Sequence, residues 1–296
     1  MIPLTEWRAA GDTFVAHGWR MACWSTKEPD DEKPWLLLIH GFPTSSWDWS
    51  GVWPALEERF NLAAIDMLGY GLSEKPRNIQ YRIADQADFQ EVFLDHLGVG
   101  EAHILAHDYG DTVAQELIAR HNENALSFSL KSVMLLNGGL FPEVHRPRFV
   151  QKLGLSPIGP LIGRMLSKNS LRKSFDEIFG PDTKASDEEI ETHWALLSGN
   201  DGSKIFHKLL RYLPERDQYR DRWVGALQQA NIPIGFVNGA VDPISGEHMY
   251  DRFRELLPNA DAWLLKNIGH YPQTEDPESV VRLFLKFHDR KGVRQR

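Results

Sequence analysis

The stretch "LAHDYGD", residues 105–111, decides the fold. The apolar run "EAHILAH" at 101–107 stops at Asp108. A helical pattern follows at once, with Val113, Ala114, Leu117 and Ile118 on one face. The reading is a buried strand that turns sharply into a helix, with Asp108 at the apex. A residue at such an apex sits in a strained backbone conformation, and only small neighbours let strand and helix close around it. Ala106 precedes Asp108 by two positions and Gly110 follows by two, so that requirement is met. Taken alone, Asp108 would suit the N-cap of the helix better than a catalytic role. The rest of the chain weighs for a nucleophile.

Further apolar runs flank this one: "PWLLLIH" (34–40), "NLAAID" (61–66), "SVMLLN" (132–137), "PIGFVNG" (233–239) and "DAWLLKN" (261–267). Each is short and bounded by turn residues, as expected of a strand buried on both faces. "TFVAHGWRMACW" (13–24) reads as two strands around a His17-Gly18 turn. Helical patterns lie between several runs; in 249–257, Met249, Phe253, Leu256 and Leu257 share a face. The alternation predicts an α/β fold with a mostly parallel central sheet flanked by helices. Between Asn137 and Ile232 the rhythm breaks into short helical patterns, prolines and charges. The expected organisation is a core in two parts, 1–139 and 231–296, with a helical cap inserted over 140–230. The final "DRKGVRQR" (289–296) reads as a frayed polar tail.

Composition narrows the function. The chain has 296 residues, 42% hydrophobic and 25% charged, which is ordinary for a globular protein. A net charge of −8 gives no electrostatic reason to expect nucleic acid or an anionic membrane as partner. A single cysteine, Cys23, allows neither an intramolecular disulfide nor a cysteine-based metal site and fits a reducing cytoplasm. The start "MIPLTEWRAAGD" lacks a signal-peptide pattern, and "LLLI" at 36–39 falls far short of the ~20 residues that cross a bilayer. The expectation is a cytoplasmic protein that acts on a small organic molecule. Oligomeric state is not legible.

Three reactive residues follow strands, where ligands bind in open α/β sheets. Asp108 follows the "EAHILAH" run, Asp242 lies in "NGAVDPIS" (238–245), and His270 lies in "GHYPQTEDP" (269–277). The chain order is nucleophile, acid, histidine, which is the triad order of the α/β-hydrolase fold. Asp242 would orient the imidazole through one ring nitrogen and leave the other free as a base. "HGFPTSSWDW" (40–49) follows the first strongly buried strand, and its glycine lets the backbone pass close to a ligand. The amides of Phe42 and Tyr109 would then face one oxyanion pocket. His40 and Trp47 are candidate substrate-binding residues from the same loop.

These segments, together with "DMLGYGLSEKP", "HDYGDTVAQEL", "LNGGLFPEVHRP" and "RWVGAL", resemble hydrolases like the mesoderm-specific transcript protein. That group belongs to the α/β-hydrolase superfamily, near the epoxide hydrolases and haloalkane dehalogenases. The resemblance runs from about Lys33 to Pro277. It implies the fold and an Asp108–His270–Asp242 triad, and it leaves the substrate open.

A carboxylate at the elbow needs no proton removed before attack, and it can displace a leaving group from saturated carbon. The product is an alkyl ester on Asp108, which water activated by His270 then hydrolyses. A departing epoxide oxygen wants an acid, and the cap offers two tyrosines, Tyr212 and Tyr219, on either side of Pro214. Tyr212 is the candidate donor. A departing halide wants N–H groups. The resembling dehalogenases carry Trp after the nucleophile and often Asn after the His-Gly pair, where this chain has Tyr109 and Phe42; Trp194 or Trp223 would have to supply the donor. Fluoroacetate dehalogenases carry Arg after the nucleophile, which is absent here. The first expectation is therefore an epoxide hydrolase-like enzyme, with a haloalkane dehalogenase as the alternative. A small-molecule binding protein on the same fold is the alternative of another class. No G-x-S-x-G, H-E-x-x-H or complete G-x-G-x-x-G occurs, and "SLRK" (170–173) stands without companion motifs. No metal and no cofactor are expected.

Overall fold

The computed structural model describes residues 1–290. The tail at 291–296, and with it most of "DRKGVRQR", lies outside the described residues. Eight strands form one sheet: β1 (Asp12–Ala16), β2 (Trp19–Ser25), β3 (Trp35–Ile39), β4 (Asn61–Ile65), β5 (Glu101–His107), β6 (Ser129–Leu136), β7 (Ile234–Gly239) and β8 (Asp261–Leu265). Their order is β1-β2-β4-β3-β5-β6-β7-β8. The β1/β2 and β2/β4 pairs are antiparallel and the others parallel.

The apolar runs are strands because both sheet faces are covered. Along β3, Leu37 and Ile39 enter one core cluster, and Leu36 and Leu38 enter the other. On β5, Ile104 and Ala106 join the first and Leu105 the second. A run that must be apolar on both sides cannot show an alternating pattern. The helix Tyr109–Asn122 buries Val113, Ala114, Leu117 and Ile118, the face read from the sequence, and carries Arg120 and His121 in its last turn, where cations complement the helix dipole.

From β3 the chain crosses to β4 on one side and later reaches β5 on the other. That reversal of strand order opens a crevice at the carboxyl ends of β3 and β5, the place where such sheets bind ligands. Between β6 and β7 the ordered elements are all helical. The helix Asp187–Ser198 begins at a reciprocal cap in which the Ser186 hydroxyl accepts from the Glu189 amide and Glu189 accepts from the Ser186 amide. The helix Arg220–Gln229 packs along Tyr109–Asn122. Their contact is tied by Glu116, which accepts from Trp223 Nε1 at 2.9 Å, Arg222 Nε at 2.8 Å and Arg120 Nε at 3.1 Å.

Candidate active site

β5 delivers Asp108 into a left-handed conformation, φ 48° and ψ −103°. Few side chains adopt this backbone, and it persists only where the surroundings enforce it. Here they do. A Cβ at Gly110 would lie 2.4 Å from the Ile39 carbonyl oxygen and 2.6 Å from that of His40. A Cβ at Gly41 would lie 2.5 Å from His107 Nδ1 and 3.0 Å from Asp108 Cβ. Both glycines are required by close approach, and together they press the loop after β3 against the elbow.

That approach brings the Phe42 amide to Asp108 Oδ2, to which it donates at 3.2 Å. Tyr109 opens the helix behind the aspartate, so its amide is one of the first-turn N–H groups that lack an intrahelical acceptor. The "HGFPTSSWDW" loop is pinned to the "DMLGYGLSEKP" loop by Asp66, which accepts from the Ser46 amide at 2.8 Å, the Ser46 hydroxyl at 2.6 Å and the Leu72 amide at 2.7 Å.

His270 faces the elbow from the loop after β8. Its Nδ1 is 2.7 Å from Asp242 Oδ2, and its Nε2 is 3.9 Å from Asp108 Oδ2, an ion-pair separation rather than a hydrogen bond. Asp242 is held in turn. Its Oδ1 accepts from the Ile244 amide at 2.8 Å, and its Oδ2 from the Ser245 hydroxyl at 2.8 Å, the Ser245 amide at 3.1 Å and Asn137 Nδ2 at 3.1 Å. His107 holds the backbone of the histidine, its Nε2 lying 2.7 Å from the His270 carbonyl oxygen. Asp108, His270 and Asp242 are all buried.

A further cation completes the group. Arg216, from the helix Tyr212–Gln218, is buried. Its Nη2 donates to the Asp108 carbonyl oxygen at 3.0 Å and lies 3.5 Å from Oδ1, while its Nε donates to the Thr112 hydroxyl at 2.8 Å.

The charges explain one another. Burial alone would push Asp108 up, but His270 and then Arg216 outweigh it and hold the carboxyl well below the usual range. Burial alone would lower His270, but Asp242 and Asp108 raise it to about 10. Asp242 is depressed because the charge of His270, with its own hydrogen bonds, exceeds the cost of burial.

The cavity in front of Asp108 is walled on one side by Phe42, Pro43, His270 and Tyr271. On the other side the wall comes from the helical segment, with Arg148, Gln151, Leu166, Phe175, Trp194 and Phe206 among its members.

The structure therefore brings Asp108, His270, Asp242, Phe42 and Tyr109 together. It does not bring His40, Trp47 or Tyr212 to the cavity wall. Both ring nitrogens of His40 are engaged: Nε2 accepts from the Met67 amide at 3.0 Å and Nδ1 lies 2.9 Å from the Gly41 carbonyl oxygen, so the ring braces the loop. Trp47 turns back and donates Nε1 to the Ile2 carbonyl at 2.9 Å. Tyr212 is buried behind the wall between Phe42 and Tyr109, its hydroxyl 3.5 Å from Gln151 Nε2. Tyr219 is 42% exposed and stands off the site. Of the two tryptophans, Trp223 spends its N–H on Glu116, and Trp194 lines the cavity.

Sequence reading missed Arg216, Asn137, Ser245 and Tyr271. Asn137 directly follows a buried strand, which is a legible signal. Arg216 carried none.

The described geometry has counterparts. Residues 34–277 match the model of the alpha/beta hydrolase fold family. The chain belongs to that family. It is 38% identical over 292 residues to the mesoderm-specific transcript protein of Mus musculus, covering 96% of this chain and 87% of that protein. Among solved structures it superposes on haloalkane dehalogenase DbeA from Bradyrhizobium elkani with a TM-score of 0.77 and 23% identity, covering 94% of this chain and 96% of that one. It superposes on epoxide hydrolase CorEH with a TM-score of 0.75 and 22% identity, covering 94% and 98%. At these identities the two structures speak for the fold alone.

Proposed function

We propose that this α/β-hydrolase works through an alkyl-enzyme intermediate on Asp108. The observation that carries the reading is the elbow itself: a left-handed Asp108 with Phe42 N–H on Oδ2 and His270 Nε2 at 3.9 Å, backed by Asp242. Oδ2 sits against the amide, which leaves Oδ1 as the attacking oxygen. Attack on an electrophilic saturated carbon forms an Oδ1–C bond and breaks the bond to the leaving group. The ester carbonyl, Oδ2, then already faces the oxyanion donors for the second step. Water attacks Cγ as His270 takes its proton; the Cγ–Oδ1 bond then breaks, His270 returns the proton to Oδ1, and the alcohol departs while Asp108 keeps the oxygen from water.

The charge balance gives this sequence a timing. While Asp108 is ionised it helps hold the proton on His270. Alkylation removes that negative charge, so the imidazole loses one of its two supports and becomes a better base at the moment one is needed. The helical segment 140–230 serves as the cap: its residues close the cavity over Asp108, and low polarity there strengthens the oxyanion contacts and protects the ester.

The substrate is a small organic molecule of low charge, and the first reading is an epoxide. Of the tyrosines considered for its oxygen, Tyr212 reaches the cavity only through the Gln151 amide, and Tyr271 is on the wall with its hydroxyl donated to the Phe42 carbonyl at 3.2 Å. A halide is the second reading, favoured by the position of Trp194 on the wall. A panel of epoxides and haloalkanes scored for diol and for free halide tests both. Diol from an epoxide supports the first, halide release with no diol supports the second, and turnover of neither overturns both.

A further inference from the structure

We propose that the outward face of the helices Phe149–Leu155 and Gly159–Met165 is a docking surface for an anionic lipid bilayer. The two helices pack on each other. Four large apolar side chains stand exposed on them: Phe149 at 78%, Ile158 at 50%, Leu161 at 54% and Met165 at 68%. They are half of the exposed large hydrophobic residues among the described residues, gathered within one short stretch. Ile158, Leu161 and Met165 recur at helical spacing, so they form one stripe.

The inward face is the reverse of an ordinary amphipathic helix. Glycines take its closest approaches, beside the buried Gln151 and the core-packed Leu155: a Cβ at Gly163 would lie 2.3 Å from the Ser203 carbonyl oxygen, and one at Gly154 would lie 2.4 Å from Leu210 Cδ1. Glycines thus stand at the protein side of the second helix, while its large residues Leu161 and Met165 face outward. An exposed apolar stripe of this kind marks an interaction site.

Charge selects the occupant. The chain carries −8 overall, yet residues 144–175 contain no Asp or Glu. Arg148, Lys168 and Arg172 pair with Glu177, Glu191 and Asp187 from beyond that stretch. Arg146, Lys152, Arg164 and Lys173 form no ion pair among the described residues. Apolar side chains flanked by free cations suit a bilayer of anionic lipid, with cations at the headgroups and apolar groups at the acyl boundary. A second copy of the chain would set like charges face to face. The acidic remainder of the surface would be repelled, which fixes the orientation. Among the described residues no helix is long and apolar enough to cross a membrane, so the association is with the surface. The chain runs from this stripe directly to the rim of the cavity, where Ser167 and Ser170 are exposed and also line the wall.

Vesicle sedimentation of the full chain tests this without reference to catalysis, so it stands apart from the aspartate chemistry. With phosphatidylcholine vesicles carrying roughly one-third phosphatidylglycerol, the parent should sediment at low salt and be released by salt. Pure phosphatidylcholine should leave it in solution. Phe149→Gln/Leu161→Gln/Met165→Gln and, separately, Lys152→Glu/Arg164→Glu should each weaken binding about tenfold or more while keeping the parent circular dichroism. The charge-reversal variant leaves the apolar stripe in place and guards against a folding defect in the first. Absence of parent binding to the anionic vesicles, or equal binding by parent and both variants, would overturn the proposal. So would a dimer in solution that the apolar variant splits, which would assign the face to a second copy.

Discussion

The guanidinium of Arg216 grips the backbone of Asp108, donating Nη2 to its carbonyl oxygen at 3.0 Å while lying 3.5 Å from Oδ1. One cation from the helical segment thus steadies both the strained peptide and the ionised side chain at the elbow. Arg216 acts through Asp108, as a positioning residue.

Arg216→Ala should therefore do two things. Loss of the clamp should cut the rate of Asp108 alkylation on the order of 10²-fold, as misplacement of a reacting group does. Loss of the charge should move the acid limb of alkylation to higher pH, because one of the influences depressing Asp108 has gone. Arg216→Lys should restore most of the pH profile and little of the rate, since an ammonium keeps the charge without the planar fork. Single-turnover rates across pH check this. An unmoved acid limb in Arg216→Ala would leave Arg216 a packing residue only.

The stability of the protein should carry the signature of His270. Its folded value is raised from 6.5 to about 10. A raised value means that the stabilisation is fully present below 6.5 and is lost as pH climbs through about 10. The melting temperature should fall over that window by on the order of 5 °C. His270→Gln, which cannot titrate, should lack this component, and identical profiles for the two proteins would contradict it.

Glu116 should hold the helical segment to the core. Glu116→Ala strands the Trp223 indole N–H and takes one acceptor from each of Arg222 and Arg120; Arg222 keeps Glu123, and Arg120 keeps Asp88 and Glu91. Leaving that buried N–H without its acceptor costs about 2 kcal/mol. Denaturant unfolding should show that loss. Leu36→Ala, a core truncation of similar size on β3, serves as the comparison; an effect of Glu116→Ala below about 0.5 kcal/mol would mean that the contact carries no stability.

Much of this was legible because buried parallel strands must be apolar on both faces. The runs at 34–40, 61–66, 101–107, 233–239 and 261–267 each contain a strand of the sheet, and 132–137 overlaps one that starts earlier, at Ser129. Asp108, Asp242 and His270 could be placed because each follows such a run. His40 and Trp47 lie off the cavity wall for a different reason. They are neighbours of Phe42 in sequence, but the loop directs its backbone, not those rings, toward Asp108. Arg216 lies in "RYLPERDQYRDRW", where arginines and carboxylates alternate, and only tertiary packing distinguishes the one that turns inward. The inverted helix Gly159–Met165 was equally hidden, since periodicity shows that a face is apolar and not which way it points.

The central claim is that Asp108 is alkylated and His270 frees it, so mutation should separate the two half-reactions. In His270→Gln the attack needs no base, while the hydrolysis has lost its activated water. Intact-protein mass spectrometry after incubation with a turned-over substrate should show one added alkyl group, and digestion should place it on the peptide that contains Asp108. Asp108→Ala should show neither adduct nor turnover. An unmodified His270→Gln protein that leaves the substrate intact, or an Asp108→Ala protein that turns it over at the parent rate, would contradict the account.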